Sequence, residues 1–281
     1  MTNFLFRIQR KFRTLIGYTA HLVRDLVFRN QRAFYSKFLI VCNGRTGSNM
    51  LISYLNSHPS IVCYREVFHH HAPNMGLEYE SLLDKEKMRK LSLIDPLAFL
   101  RRYVFKGYPA KVKAVGFKLI YWQAMGSEYY EKLPRQLASI EGLKVIHLVR
   151  TNKLDLVVSK KVALKTNKWL ALNRKETHSD MKITIAPSEM EEGLNLNTEL
   201  EERFDKLFAG CPRIKVSYED IVGDPQKEIG KILDFLGLPG TELKTGTHKQ
   251  LSEKPSEIIE NYIALKSYFQ HSGYGKYFDE G

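Results

Sequence analysis

The segment Asn43-Gly44-Arg45-Thr46-Gly47-Ser48-Asn49 stands between an apolar run, Phe38 to Cys42, and an apolar-periodic stretch that opens at Ser48. A strand that ends in such a turn and continues as a helix aims backbone N–H groups, and the positive end of the helix dipole, at one point. That point suits a phosphate or a sulfate. Gly44 and Gly47 permit tight backbone conformations, Thr46, Ser48 and Asn49 add side-chain donors, and Arg45 brings a fixed charge in a planar fork. A plain strand-to-helix connection accounts for the glycines but not for the polar residues among them. The Gly-Lys-Ser/Thr of a Walker A loop is absent, which disfavours an ordinary nucleoside-triphosphate hydrolase. A second anion grip is legible at Arg150, where the run KVIHLV ends, and at Ser159, over two helical turns later, provided the intervening turn curls back. The alternative there is a basic helix cap with a solvated serine. Two anion sites on successive strand ends fit a ligand phosphorylated at two positions, because ligands of open α/β sheets sit beyond the carboxyl ends of the strands.

Arg-Thr-Gly-Ser-Asn after a strand resembles the 5′-phosphosulfate loop of sulfotransferases that use 3′-phosphoadenosine 5′-phosphosulfate (PAPS), above all the bacterial carbohydrate enzymes of the nodulation and trehalose type. Residues 144–163, KVIHLVRTNKLDLVVSKKVA, resemble that family's strand, arginine and helix for the donor's 3′-phosphate, with Arg150 and Ser159 at the matching positions. Residues 215–238, KVSYEDIVGDPQKEIGKILDFLGL, resemble its Tyr-Glu-Asp segment, which gives Tyr218 an adenine contact. A core tyrosine at a strand end is the competing account. KAVGFKLIYWQ resembles the central strand with a lysine near the sulfuryl group, a role that passes to Lys118 unless that side chain reaches out to solvent. LSEKPSEIIENYIALKSYF resembles the closing helix, with Lys249 or Lys254 completing the donor pocket.

A neutral sugar alcohol is a poor nucleophile and needs a general base. Glu66, in CYREVFHHH, stands where the bacterial enzymes carry a glutamate before an aromatic, so the resemblance gives it that role; a surface pair with Arg65 is the alternative. His69, His70 and His71 are rival bases, but consecutive residues point in different directions, which favours a solvated loop. The resemblance covers residues 37–281. It implies PAPS as donor co-substrate, in-line transfer to a carbohydrate or glycolipid hydroxyl, no metal and no nucleic acid. The competing functions are an atypical nucleotide-dependent phosphotransferase and a non-catalytic binding module on a membrane surface.

The elements that must position these residues alternate between strand and helix, which predicts a P-loop-like three-layer α/β fold around a mostly parallel sheet. Strands are expected at 38–42, 61–64, 112–119, 143–149 and 213–217, and helices at 48–57, 78–105, 128–139, 153–164, 198–208, 225–236 and 256–267. Within a sulfotransferase domain of residues 37–281, residues 73–110 read as a helical cap and 172–197 as an acceptor-side loop without clear periodicity. The 281 residues carry a formal charge of +12, so an anionic partner is expected. Residues 1–36 concentrate that charge: Arg7, Arg10, Lys11, Arg13, Arg24, Arg29 and Arg32 face one acid, Asp25. Phe4, Ile8, Phe12, Leu15, Leu22 and Leu26 recur there at helical spacing, so the arm reads as a basic amphipathic helix. It either contacts an anionic membrane face or packs on the domain with its basic side solvated. No stretch reaches the roughly 20 apolar residues of a span. The expected location is cytoplasmic, peripheral at the inner membrane face if the arm makes that contact. Cys42, Cys63 and Cys211 are unclustered and read as reduced core thiols.

Overall fold

A computed structural model of the protein describes residues 2–28, 34–125, 132–166, 182–245 and 254–279. The elements run α1 (Thr2–Phe28), β1 (Ser36–Cys42), α2 (Ser48–Ser57), β2 (Ile61–Glu66), α3 (Lys85–Ile94), α4 (Pro96–Tyr103), β3 (Ala114–Ile120), α5 (Leu133–Ala138), β4 (Leu143–Val149) and α6 (Lys153–Thr166). They continue with α7 (Pro187–Leu207), β5 (Arg213–Ser217), α8 (Tyr218–Gly223), α9 (Pro225–Leu236), α10 (Pro255–Ile258) and α11 (Tyr262–Phe269). The five strands form one sheet in the order β2-β3-β1-β4-β5, and every pairing is parallel. The architecture is the expected three-layer α/β fold.

Strands buried on both faces need apolar residues at successive positions rather than alternate ones. β1 supplies them: Phe38, Ile40 and Cys42 enter a core with α2 and α9, while Leu39 and Val41 enter the opposite core with α3, α4 and α7. Gly116 is required in β3, because a Cβ there would lie 2.4 Å from the Phe38 ring and carbonyl of the neighbouring strand. From β1 the chain reaches β2 and β3 on one side and β4 and β5 on the other, so β1 lies at the switch point, where such sheets open a crevice at their carboxyl edge.

One expectation changes. Residues 187–197 are not loop but the first half of α7, which opens with Pro187 at its first turn. Its buried face, Met190, Leu194, Asn197, Leu200 and Phe204, has helical spacing, but a polar residue at its centre breaks the apolar pattern in the sequence. Residues 167–181 lie outside the described residues. The expected cap at 73–110 contains α3 and α4, whose Met88, Phe99 and Leu100 join the core on one face of the sheet.

The arm is helical as expected, and its second half meets the body. Tyr18 packs on Tyr79, and Lys106 pairs with Asp25 at 2.6 Å. The apolar side chains Phe12, Leu15, Ile16, Leu22, Val23, Leu26 and Val27 are exposed. Among the described residues no helix is long and apolar enough to cross a membrane.

Candidate active site

The predicted site residues converge on the carboxyl edge of the sheet: Glu66 ends β2, Lys118 lies near the end of β3, residues 43–49 follow β1, and Arg150 and Tyr218 follow β4 and β5. After β1 the chain turns through Arg45 at φ 70° and Gly47 at φ 75°, and Gly47 caps α2. A left-handed arginine is strained by roughly 1–3 kcal/mol, a cost found mostly where function fixes the backbone. The sequence had suggested Gly44 for a tight conformation, but Gly44 has an ordinary φ and open space around it. Gly47 is the required glycine: a Cβ there would stand 2.4 Å from the Tyr218 ring, besides demanding positive φ of an L side chain. The N–H groups of Ser48 and Asn49 precede the first hydrogen bonds of α2, which run from Met50 and Leu51 to the Gly47 carbonyl, and they face the same edge.

The side chains of the turn divide their work differently from the expectation. The Thr46 hydroxyl donates to the Asn43 carbonyl at 2.8 Å, so its proton braces the turn instead of facing outward. Ser48 is buried, and Asn49 Oδ1 accepts from Lys118 Nζ at 3.0 Å. Asn43 Oδ1 takes the Gly44 N–H, and its amide donates to Asn197 Oδ1 on α7, which anchors the start of the turn.

Arg45 and Arg150 meet. Arg150 Nη1 lies 3.3 Å from the Arg45 carbonyl, and Arg45 Nε donates to Ser159 Oγ at 3.0 Å. α6 therefore does bring Ser159 back to the turn, against Arg45. Burial, and then the neighbouring Arg150, lower the Arg45 guanidinium to about 10, with Tyr218 opposing. Arg150 is held by Asp155 at 2.7 Å and packs over the Tyr218 ring at 4.8 Å. Its Nε is buried with no hydrogen-bond partner, alone in this among the buried side-chain atoms of the described residues. A buried unsatisfied donor costs roughly 1–3 kcal/mol, more when charged. Glu219 does not relieve it: the carboxylate stands 3.8 Å from that nitrogen and takes the N–H groups of Thr151 and Asn152. Burial raises the Tyr218 hydroxyl, which stays neutral.

Across β1, the Lys118 side chain is 2% exposed and does not reach solvent. It pairs with Glu66 Oε1 at 2.9 Å while donating to Asn49, so one ammonium joins the carboxylate to the turn. Gln123 donates to Glu66 Oε2 at 2.9 Å. Arg65 lies against Gly76 instead of pairing with Glu66. The histidines are not simply solvated: His70 packs on Trp122 with centroids 4.7 Å apart, and His69 meets the same ring edge-on. Sequence reasoning missed Gln123, whose one signal is a polar residue closing the run that carries Lys118. Lys249 lies outside the described residues, and Lys254 caps the short α10. Among the described residues no group of three or more His, Cys, Asp or Glu side chains is placed to hold a metal.

Comparison with known proteins bears on the same residues. Residues 38–242, well over half of the chain, match the model of the Sulfotransferase family. The chain is 26% identical to a nodulation protein H of Rhizobium tropici over 251 residues, covering 86% of this chain and 92% of that one. It is 25% identical to nodulation protein H of Rhizobium meliloti strain 1021, covering 86% and 94%. Among solved structures, a sulfotransferase from Alicyclobacillus acidocaldarius aligns at 17% identity and TM-score 0.48, covering 83% of this chain and 90% of that one. With the family motifs lying on the converged strand ends, this chain belongs to the sulfotransferase family.

Proposed function

We propose that the protein transfers a sulfuryl group from PAPS to a hydroxyl of a carbohydrate or glycolipid. The observation that carries the donor assignment is the pair Arg45 and Arg150: a half-buried guanidinium and a buried one with an orphaned N–H, gathered at the start of α2. Like charges held together out of water call for an anion between them. The residues fit a donor phosphorylated at both ends, because the Tyr218 ring packs directly on Gly47 of the anion turn and the two arginines come from different strand ends.

When bound, the donor supplies an activated sulfuryl group on a phosphate leaving group. Arg45 and the first-turn N–H groups of α2 bind the phosphate bearing that group, Arg150 with Ser159 binds the second phosphate, and Tyr218 lies against the adenine. Lys118 holds its ammonium at the junction of the turn and Glu66, where negative charge on oxygen is stabilised. Glu66 takes the acceptor hydroxyl proton on a carboxylate oxygen whose orientation Lys118 and Gln123 fix. The reading is tested by incubating the protein with PAPS labelled at sulfur and soluble oligosaccharides. Label recovered on a sugar is the expected result, and label released only as sulfate, or transfer that requires ATP, contradicts it.

We also infer a peripheral membrane contact through α1. Its exposed apolar residues, in an arm with a strong excess of arginine, match the interface of an anionic bilayer. A cytoplasmic position at the inner membrane face follows from that reading.

A further inference from the structure

β3 ends in a turn of four residues, Tyr121 to Ala124, and that turn sorts its side chains sharply. Tyr121, Gln123 and Ala124 are buried, whereas Trp122 between them is 40% exposed. A tryptophan left outside a turn that buries its neighbours is not explained by the core. Around it stand His70, tilted by 34° at 4.7 Å, and His69, edge-on at 5.6 Å. His71 packs on His69 at 5.6 Å and is exposed.

The cluster is tied to Glu66 from two sides. Gln123, the next residue after Trp122, donates to Glu66 Oε2 at 2.9 Å, and the His69 N–H donates to the Glu66 carbonyl at 3.1 Å. A group seated on the Trp122 ring is therefore next to the residue, Gln123, that holds the carboxylate of the candidate base. Burial, with Glu66 opposing, holds the His69 imidazole below its usual range, so near neutral pH it can accept as well as donate a hydrogen bond.

Resting on the reading of Glu66 as the acceptor-side base, we propose that Trp122, rimmed by His69, His70 and His71, is the sugar-binding platform of the acceptor site. The ring face of an aromatic carries negative potential and attracts polarised C–H groups, which a pyranose offers on its flatter side. The hydroxyls around a pyranose need hydrogen-bonding partners at the perimeter, and imidazoles supply them. A lipid chain would favour an apolar rim, and a phosphorylated acceptor a cationic one. An apolar plate with a hydrogen-bonding border matches a sugar.

The test uses Trp169→Phe, which leaves Trp122 as the sole tryptophan of two. Its emission is followed while trehalose, cellobiose, maltotetraose, 1-naphthol and octanol are added to protein saturated with 3′-phosphoadenosine 5′-phosphate (PAP). At least one sugar is expected to change the emission saturably. With that sugar as acceptor, Trp122→Ala should raise KM roughly tenfold, kcat and PAP affinity changing less than about twofold, and Trp122→Phe should keep most of the affinity. A response to naphthol or octanol alone, or an unaltered sugar KM in Trp122→Ala, overturns the proposal. PAP binding to the unaltered protein separates the two readings: bound PAP with silent Trp122 emission sinks the platform alone, and absent PAP binding sinks the donor reading with it.

Discussion

The two sides of the crevice are built by different means. On the proposed donor side, one turn between β1 and α2 supplies backbone N–H groups, a strained arginine and an obligatory glycine within a few residues. Only Arg150, Ser159 and Tyr218 come from elsewhere, each just beyond or along the element that follows its strand. On the proposed acceptor side no short segment is sufficient. Glu66 comes from β2, Lys118 from β3, Gln123 and Trp122 from the turn after β3, and the histidines from the chain after β2. A phosphate has a fixed shape and charge that a local backbone device can meet. A sugar hydroxyl has neither, and on the proposed reading its recognition falls to side chains that meet only after the sheet has formed.

If the sides are separable in this way, substitutions on one should leave the other's measurement unmoved. The largest effect is expected from Glu66→Gln: removal of a general base should lower kcat by roughly 10²- to 10⁴-fold with PAP affinity unchanged. Pre-steady-state transfer and calorimetry read the two quantities, and normal single-turnover transfer would remove Glu66 from the mechanism. Arg45→Ala should weaken PAP binding by roughly 1.5–3 kcal/mol, the contribution of a charge-assisted hydrogen bond. An unchanged Kd would break the donor side of the comparison.

Gly47→Ala sharpens it at a single methyl group, which would demand positive φ of alanine and lie 2.4 Å from the Tyr218 ring. The expected loss of PAP affinity is about tenfold, against little change for Gly44→Ala, whose Cβ meets nothing within 4 Å. A smaller effect concerns protons. The free protein holds Arg45 at about 10, lowered first by burial and then by Arg150, and a bound anion raises it. PAP binding near that pH should therefore take up protons, and affinity should fall as pH rises through about 10. Calorimetry in buffers of different ionisation enthalpy measures the uptake. Smallest of all, deletion of residues 1–28 should leave turnover of a soluble sugar unchanged while abolishing flotation with phosphatidylglycerol vesicles. Persistent flotation would transfer the membrane contact to the folded body.

The same contrast explains what could be read in the sequence. β4, β5, α2 and α9 are bounded as expected, because their apolar runs and flanking Gly, Pro and Ser residues are local signals. The anion turn was legible for that reason, although which residue carries the positive φ was not: Arg45 takes it and Gly44 does not. The start of α7 was hidden by Asn197, a polar residue buried against Asn43 across 154 positions. The clasp of Glu66 by Lys118 and Gln123, and the assembly of Trp122 with the histidines, depend on the parallel pairing of β2 with β3, and no spacing within one segment announces them. The exposed apolar side of α1 was equally out of reach, since amphipathic spacing is the same whether a helix covers its own domain or another surface.

The central claim is that Arg45 and Arg150, brought together from two strand ends, grip the two phosphorylated ends of one adenylate. Isothermal titration of the intact protein with PAP, and separately with ATP, in metal-free buffer, tests it directly, with Arg45→Ala, Arg150→Ala and the double variant alongside. The account predicts PAP binding well above that of ATP, weakened by either substitution and non-additively by both, as expected of contacting residues. Tighter binding of ATP than of PAP, or PAP affinity indifferent to the two arginines, would contradict it.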